Sequence, residues 1–431
     1  MFNTIRSISK ECMEKGGVLK AEIGFRTIYV VTDPEDCVTV SNACVQKDLL
    51  YDFVKPLLGE GLITGNGTSW KRHRKLLNPA FSQTKINNFI GDFNNQSRRL
   101  VDQMSEMIGR PFNHEHLTKF AKFISVTAAG LNNEEYKEVQ QKYLSTLTYG
   151  LNLIMKRFRR FWLHNEFIFS FSDLKRNQDE IIEGLLKLTK TIVQKKKHDL
   201  KINNNKETGI LITFLGKVQS FLDYILELSE RTGCFTDDEV REETDTIIAA
   251  GHDTSANVLT CALILLGSHL DVQEKVYNED VNKDDLSELV YTDAVLKETM
   301  RLYPVTPILP RYSDKEVKLR NYTLQPNTGV FMFVWGLHRD PIWGPDAHEF
   351  KPERWLNTDT LPDMNYFSGF GSGRRACIGK VYAMMSMKTI LVHVIRKFKV
   401  SSDISKIILK FEFMSKVTDG DHLTISPRNP A

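Results

Sequence analysis

Cys377 closes a glycine-rich stretch, FSGFGSGRRACIG, in which Phe370, Gly373, Arg375, Cys377 and Gly379 stand at the spacing F-x-x-G-x-R-x-C-x-G. A cysteine ligates metal only as its thiolate, and an apolar helix predicted to begin at about Ile378 brings its positive dipole end and free amides to the sulfur. Gly371 and Gly373 permit a tight turn that aims backbone N–H groups at that sulfur, and Gly379 lets the helix approach a flat partner closely. Arg375 offers a bidentate fork to a carboxylate. Phe370 can cover the sulfur against water. A lone cysteine at a helix start is ordinarily a buried structural thiol; the five positions together favour a metal ligand.

Three further groupings carry chemistry. In Ala250-Gly251-His252-Asp253-Thr254 an acid stands beside an alcohol within a predicted helix. There the Thr254 hydroxyl can bond back to the Ala250 carbonyl, and Gly251 lets the helix open locally. Glu298 and Arg301 share one face of a helix that ends before Pro304, and taken alone they read as a solvated ion pair. Trp70 and Arg74 share a helical face by their i, i+4 spacing.

The elements that must position these residues are mostly helical. From about Ser69 to His269 helical periodicity dominates, with the polar run KINNNK (201–206) predicted as a loop. Thr236-Asp-Asp-Glu239 forms a capping box that starts a helix running to about Leu266, roughly 45 Å long and so able to cross a domain. Val18 to Val31 alternates as a hairpin, and Asp33-Pro34 opens a helix. After Leu302, seven prolines between Pro304 and Pro352 exclude long helices. Leu409 to Ile425 returns to short strands. The predicted class is mainly α with small β-sheets. No repeat or linker divides the chain, so 1–431 is expected to be a single domain.

Composition agrees with a globular protein: 41% apolar, 10% aromatic and 26% charged residues. A net charge of +3 argues against a dedicated nucleic-acid binder. Six scattered cysteines without a CxxC pair suit a reducing, cytosol-facing environment. No run of eighteen apolar residues marks an anchor or signal peptide in the chain as given.

With these elements in this order, the chain resembles the cytochrome P450 superfamily over about residues 18 to 431. The resemblance implies a triangular, prism-like helical domain around a buried haem b, with Cys377 as axial thiolate. It implies that Arg354 of Pro352-Glu-Arg354-Trp355 joins Glu298 and Arg301 in a structural network that fixes the coil before the cysteine loop. It also implies that Thr254 steadies activated oxygen while Asp253 relays protons. Ala250 and Gly251 would line the oxygen groove, and Trp70, Arg74, Arg375 and Arg311 would reach haem propionates. Lys71, Arg72, His73 and Lys75 would then face outward as a basic patch, suited to an acidic flavoprotein donor or merely solvated.

The implied activity is monooxygenation: one atom of O2 enters a hydrophobic substrate and one becomes water. Electrons would come from NADPH through a separate cytochrome P450 reductase, with cytochrome b5 as a second donor, because no dinucleotide-binding G-x-G-x-x-G follows a strand here. Tracts such as AGHDTS and the segment 312–355 are similar to the family-4 clan, notably its insect members, which oxidise fatty acids, hormones, odorants and xenobiotics. Many of those members carry a haem-esterifying Glu where this chain has Ala250, so non-covalent haem is expected. Apolar pocket walls are expected at Tyr51 to Ile63, Phe158 to Phe171, Val305 to Leu309 and Phe413 to Val417. Several aromatics of Phe158 to Phe171 are expected to be ordinary helix packing.

The family's anchor and proline-rich hinge are not seen before Met1, which reads as truncation. An endoplasmic-reticulum location is therefore inherited from the family, with peripheral membrane association and a monomeric state. The connection 268–291 is shorter than the family's; if it disturbs the proximal face, reductase coupling is expected to suffer before haem binding does. Rival readings are a haem-thiolate isomerase or lyase, disfavoured by the retained Asp253 and Thr254, and a non-catalytic haem carrier.

Overall fold

A computed structural model describes residues 2–23, 26–113, 130, 136–206, 219–279, 288–418 and 423–428. The core of the shortened connection, 280–287, lies outside the described residues. The chain divides into two compact units, one of Met1–Asp48, Ile90–Ala121 and Asp253–Ala431, the other of Leu49–Phe89 and Lys122–His252.

The first unit combines a four-stranded sheet with helices. The predicted hairpin pairs Val18–Ile23 with Arg26–Val31, and Arg26–Val31 runs parallel to Thr328–Met332, which is antiparallel to Leu309–Ser313. Asp33 caps the helix Pro34–Ala43 by accepting from the Asp36 amide, with Pro34 at the first turn where its missing N–H costs nothing. Tyr29, Val31, Val40, Val330 and Met332 form a core between this helix and the sheet. Helix Lys380–Lys397 packs on Ile90–Ser105 and Val290–Leu302. An unforeseen helix, Phe2–Glu14, buries Phe2, Ile5, Ser9 and Cys12. The small strands at 409–411 and 415–417 fall within the predicted run, and the strand 424–427 begins in it and runs two residues past its end at Ile425.

The second unit is helical. Lys137–Arg159 packs on Asp173–Lys206, and both are tied to the long helix Asp237–Ser268 through buried Asp245. Its Oδ1 accepts from Tyr143 at 2.7 Å and Thr189 at 2.6 Å, and its Oδ2 pairs with Arg241 at 3.1 Å. Burial nevertheless pushes its pKa up to about 6 against those lowering contacts. The KINNNK segment is corrected: it continues the helix Asp173–Lys206. Asn costs at most about 0.7 kcal/mol per helical residue, which the packed turns upstream offset.

The capping box at Thr236 forms as predicted, with the Glu239 amide donating to Thr236 Oγ1 and the Thr236 amide donating to Glu239 Oε2. The long helix is the one described helix long and apolar enough to cross a membrane, and most of its apolar stretch is buried inside the protein.

Candidate functional site

The cysteine loop is built by two glycines in the left-handed region. Gly371 has φ +70° and Gly373 φ +63°, and a Cβ on Gly373 would meet the Ser41 carbonyl at 2.5 Å, so position 373 demands glycine on two counts. The turn closes through Gly371 N–H to the Ser368 carbonyl (3.0 Å) and Cys377 N–H to the Phe370 carbonyl (2.8 Å). The following helix begins at Lys380 with Gly379 as N-cap, two residues later than expected at Ile378. Ile378 and Gly379 are taken up in finishing the turn. Cys377 remains just before that helix.

The donor set fits a haem iron at one cysteine. Cys377 is the exposed one among the six, while Cys12, Cys37, Cys44 and Cys261 are buried. Burial pushes all four buried thiols up, Cys261 to about 12, which makes them poor thiolates.

The same unit gathers cations. Arg375, mostly buried, donates Nε to the Val45 carbonyl at 2.9 Å, and Arg311, fully buried, donates to Pro310 O at 2.9 Å. Lys47, which the sequence reading missed, lies within electrostatic reach of both; desolvation and then the two guanidinium groups push its pKa well down. Like charges held together disfavour one another's charged form and are relieved by an anion. Nothing in the spacing of Lys47 to Arg311 or Arg375 announces this. It follows from the bridge between Gln46 O and the Tyr312 amide, 3.0 Å, which sets segment 45–47 beside the strand of Arg311.

Glu298 and Arg301 are wholly buried, so they are no surface pair. Arg301 Nε and Nη2 each donate to a Glu298 oxygen at 2.8 Å, a bidentate fork. The remaining Arg301 protons go to the carbonyls of His338 (2.7 Å), Ala347 (2.6 Å) and Glu349 (3.1 Å). Glu298 also accepts from the Lys351 amide and Trp355 Nε1. Arg354 lies 3.5 Å from Glu298, yet its shorter ion pair is to Asp346, 2.7 Å.

His338, also missed, links this network to the cysteine loop. The Ser368 amide donates to its Nε2 at 2.8 Å, so its Nδ1–H is free to donate to the Arg301 carbonyl at 3.1 Å. Burial, and then Arg301, push its pKa down to about 3. An imidazole kept neutral in the fold but ordinary when unfolded makes the unfolded chain bind the extra proton below about pH 6.5. Stability contributed by His338 is therefore full above that pH and falls as the pH drops toward 3. Thermal unfolding between pH 7 and 4 should show a shallower loss in His338→Gln than in the parent. Equal slopes would remove His338 as a source.

In the long helix Asp253 is buried and Thr254 half-buried, and the helix is continuous through both, so the expected local opening is not a break. Asn257 Nδ2 donates to the Asp253 carbonyl at 2.7 Å. Lys416 Nζ reaches Asp253 Oδ2 at 2.7 Å.

Trp70, Arg74, Ala250 and Gly251 belong to the second unit, where Trp70 is buried on helix Gly67–Leu77. The outward placement of His73 is corrected: it is 1% exposed, with Nδ1 2.7 Å from Glu243 and Nε2 3.2 Å from Glu239. Those acids compensate burial, and their hydrogen bonds outweigh desolvation to raise the His73 pKa. Lys71, Arg72 and Lys75 do face outward. The rings of Phe161, Trp162, Phe167 and Phe171 are 71%, 50%, 73% and 78% exposed, so ordinary packing does not describe them, whereas Phe169 is buried.

A cysteine on a two-glycine turn just before a helix, backed by a buried Glu–Arg network and a cluster of cations, matches the class of haem-thiolate proteins. The family model for cytochrome P450 matches residues 2–422, beginning before the residue 18 inferred from sequence. The chain is 30% identical over 386 residues to cytochrome P450 4V2 of Mus musculus, covering 85% of this chain and 73% of that one. It is 28% identical over 433 residues to the probable cytochrome P450 4s3 of Drosophila melanogaster, covering 97% and 88%. It is 29% identical over 447 residues to cytochrome P450 4d2 of the same fly, covering 98% and 88%. The chain belongs to the cytochrome P450 family and is of its family-4 type. It is a haem-iron monooxygenase, an oxidoreductase that works with an electron-transfer partner, a substrate and O2.

Proposed function

We propose that this protein inserts one oxygen atom of O2 into a hydrophobic small molecule, a fatty acid, hormone, odorant or xenobiotic, with electrons from NADPH delivered by a separate cytochrome P450 reductase. The observation that carries the reading is Cys377, exposed at the start of helix Lys380–Lys397 on a loop whose two glycines have positive φ. When bound, haem supplies the chemistry of dioxygen activation and oxygen insertion.

Cys377 would hold the iron as a thiolate, favoured by the helix dipole. Arg311, Arg375, Trp70 and Arg74 would hold propionates, joined by Lys47. Asp253 would accept a proton at its carboxylate and pass it on, and the Thr254 hydroxyl would donate a hydrogen bond to the oxygen being activated. Phe370 would cover the sulfur side, with Gly371 and Gly379 allowing close approach and Ala250 and Gly251 lining the oxygen side. Glu298, Arg301 and Arg354 would act structurally. Ala250, standing where many relatives have a haem-linked Glu, supports non-covalent haem b.

A single catalytic domain over 1–431, monomeric and held at the cytosolic face of the endoplasmic reticulum, completes the reading. The exposed rings of Phe161, Trp162, Phe167 and Phe171, next to Lys156, Arg159 and Arg160, support contact with an anionic membrane surface.

Reconstitution with reductase tests the proposal. A panel of fatty acids, terpenoids and hormones should include compounds that shift the haem spectrum and are oxidised only when NADPH and reductase are both present. Acidified solvent should extract the haem intact. Turnover driven by hydroperoxide substrates without reductase would instead support a lyase, and haem retained on the polypeptide would refute non-covalent binding.

A further inference from the structure

Outside the cysteine loop, one ion pair joins a residue of the proposed proton relay to a distant part of the chain. Strands Leu409–Phe411 and Ser415–Val417 form a short antiparallel hairpin, closed by Glu412 N–H donating to the Met414 carbonyl at 3.1 Å. The hairpin is fixed at its far side by Ser415 N–H donating to the Val305 carbonyl at 2.8 Å, and Thr418 N–H donating to Ile408 O at 2.8 Å. Lys416 projects from it to Asp253 on the long helix, Nζ to Oδ2 2.7 Å, with side chains 23% and 11% exposed.

Two features make this pair more than a surface contact. Asp253 is mostly buried, so its ionised form needs a compensating cation. Lys416 stands directly across the hairpin from Lys410, a like-charge pairing that is unfavourable by itself and is relieved when Lys416 reaches an acid. The carboxylate end of Asp253 has two rotatable bonds, and a charge-assisted hydrogen bond at this distance selects one orientation. A proton-relay group works only within hydrogen-bond reach of its partners.

We infer that Lys416 is a positioning residue for proton delivery: it holds the Asp253 carboxylate ionised and in one orientation, so the hairpin 409–417 sets the geometry of the relay. The inference rests on the proposed relay role of Asp253. Residues 413–417 are also an expected pocket wall, so a substrate that presses on the hairpin would act on the relay through Lys416. The other charged groups of the hairpin are Lys410, the cross-strand partner of Lys416, and Glu412 in its turn.

The test uses the haem-loaded protein with reductase, NADPH and dodecanoate as probe substrate. Lys416→Met should slow NADPH oxidation about tenfold, the low end of what a positioned proton-transfer group contributes. It should also raise the solvent deuterium isotope effect, with Lys416→Arg restoring both. Independently of turnover, infrared titration should place protonation of the Asp253 carboxyl higher by about one pH unit or more in Lys416→Met, assigned by its loss in Asp253→Asn. An isotope effect and a carboxyl midpoint both unchanged in Lys416→Met would overturn the inference while Asp253→Asn still slowed proton delivery. If Asp253→Asn itself changed neither rate nor isotope effect, the relay reading would fail first.

Discussion

Cys377→Ser should abolish the thiolate-type carbon monoxide difference band of the reduced protein and all reductase-driven oxidation. A serine hydroxyl is too weak an acid to coordinate as a stable anion at neutral pH, so the iron would lose its electron-donating ligand. The fold should survive, because the backbone bond from the Cys377 amide to the Phe370 carbonyl, which closes the turn, does not involve the sulfur. The same change at buried Cys261 should leave the band intact and act only on stability. The measurements are the difference spectrum, haem content and thermal unfolding of both variants. A parent-like band in Cys377→Ser would end the assignment of this residue as ligand.

Breaking the Glu298–Arg301 fork should have the second-largest effect, and on the fold instead of the chemistry. Both side chains are fully buried, and Glu298→Ala leaves a guanidinium without its counter-ion beneath the coil that carries residues 338–349. Removing one partner of a buried ion pair typically costs about 3–5 kcal/mol, a large share of the stability of a typical domain. Arg301→Ala should cost as much or more, since it strands Glu298 and three carbonyl acceptors at once.

Glu298→Leu combined with Arg301→Met should lose less than the two single changes summed, because no uncompensated charge remains. Denaturant unfolding and the haem content of the purified variants measure this. Single variants that unfold and retain haem like the parent would show the fork to be dispensable. Arg354→Ala should be milder, as its main ion pair is to Asp346, whose pKa its neighbours Lys351 and Arg354 hold down at about 2.

Local chemistry explains what was legible without a structure. The capping box at Thr236, the prolyl helix start after Asp33, the hairpin near residue 18 and the glycine turn before Cys377 each depend on a few adjacent residues, and each formed. The helix Phe2–Glu14 was not foreseen, because its polar composition hid the stripe of Phe2, Ile5, Ser9 and Cys12 at helical spacing. KINNNK was misjudged because propensity is a weak prior that neighbouring packed turns override.

By itself, then, the sequence determined the local turns and caps and the helical class, and it singled out Cys377 on its glycine turn for the proposed ligand. These are set by φ preferences, capping and periodicity within a few residues. Tertiary structure alone decided which charges are buried together. His73 against Glu243, His338 between Arg301 and Ser368, Lys47 with Arg311 and Arg375, and Lys416 on Asp253 are separated by tens to hundreds of positions. Their energetics arise from desolvation and Coulomb interaction at a few ångströms, quantities that exist only once distant segments have been folded against one another.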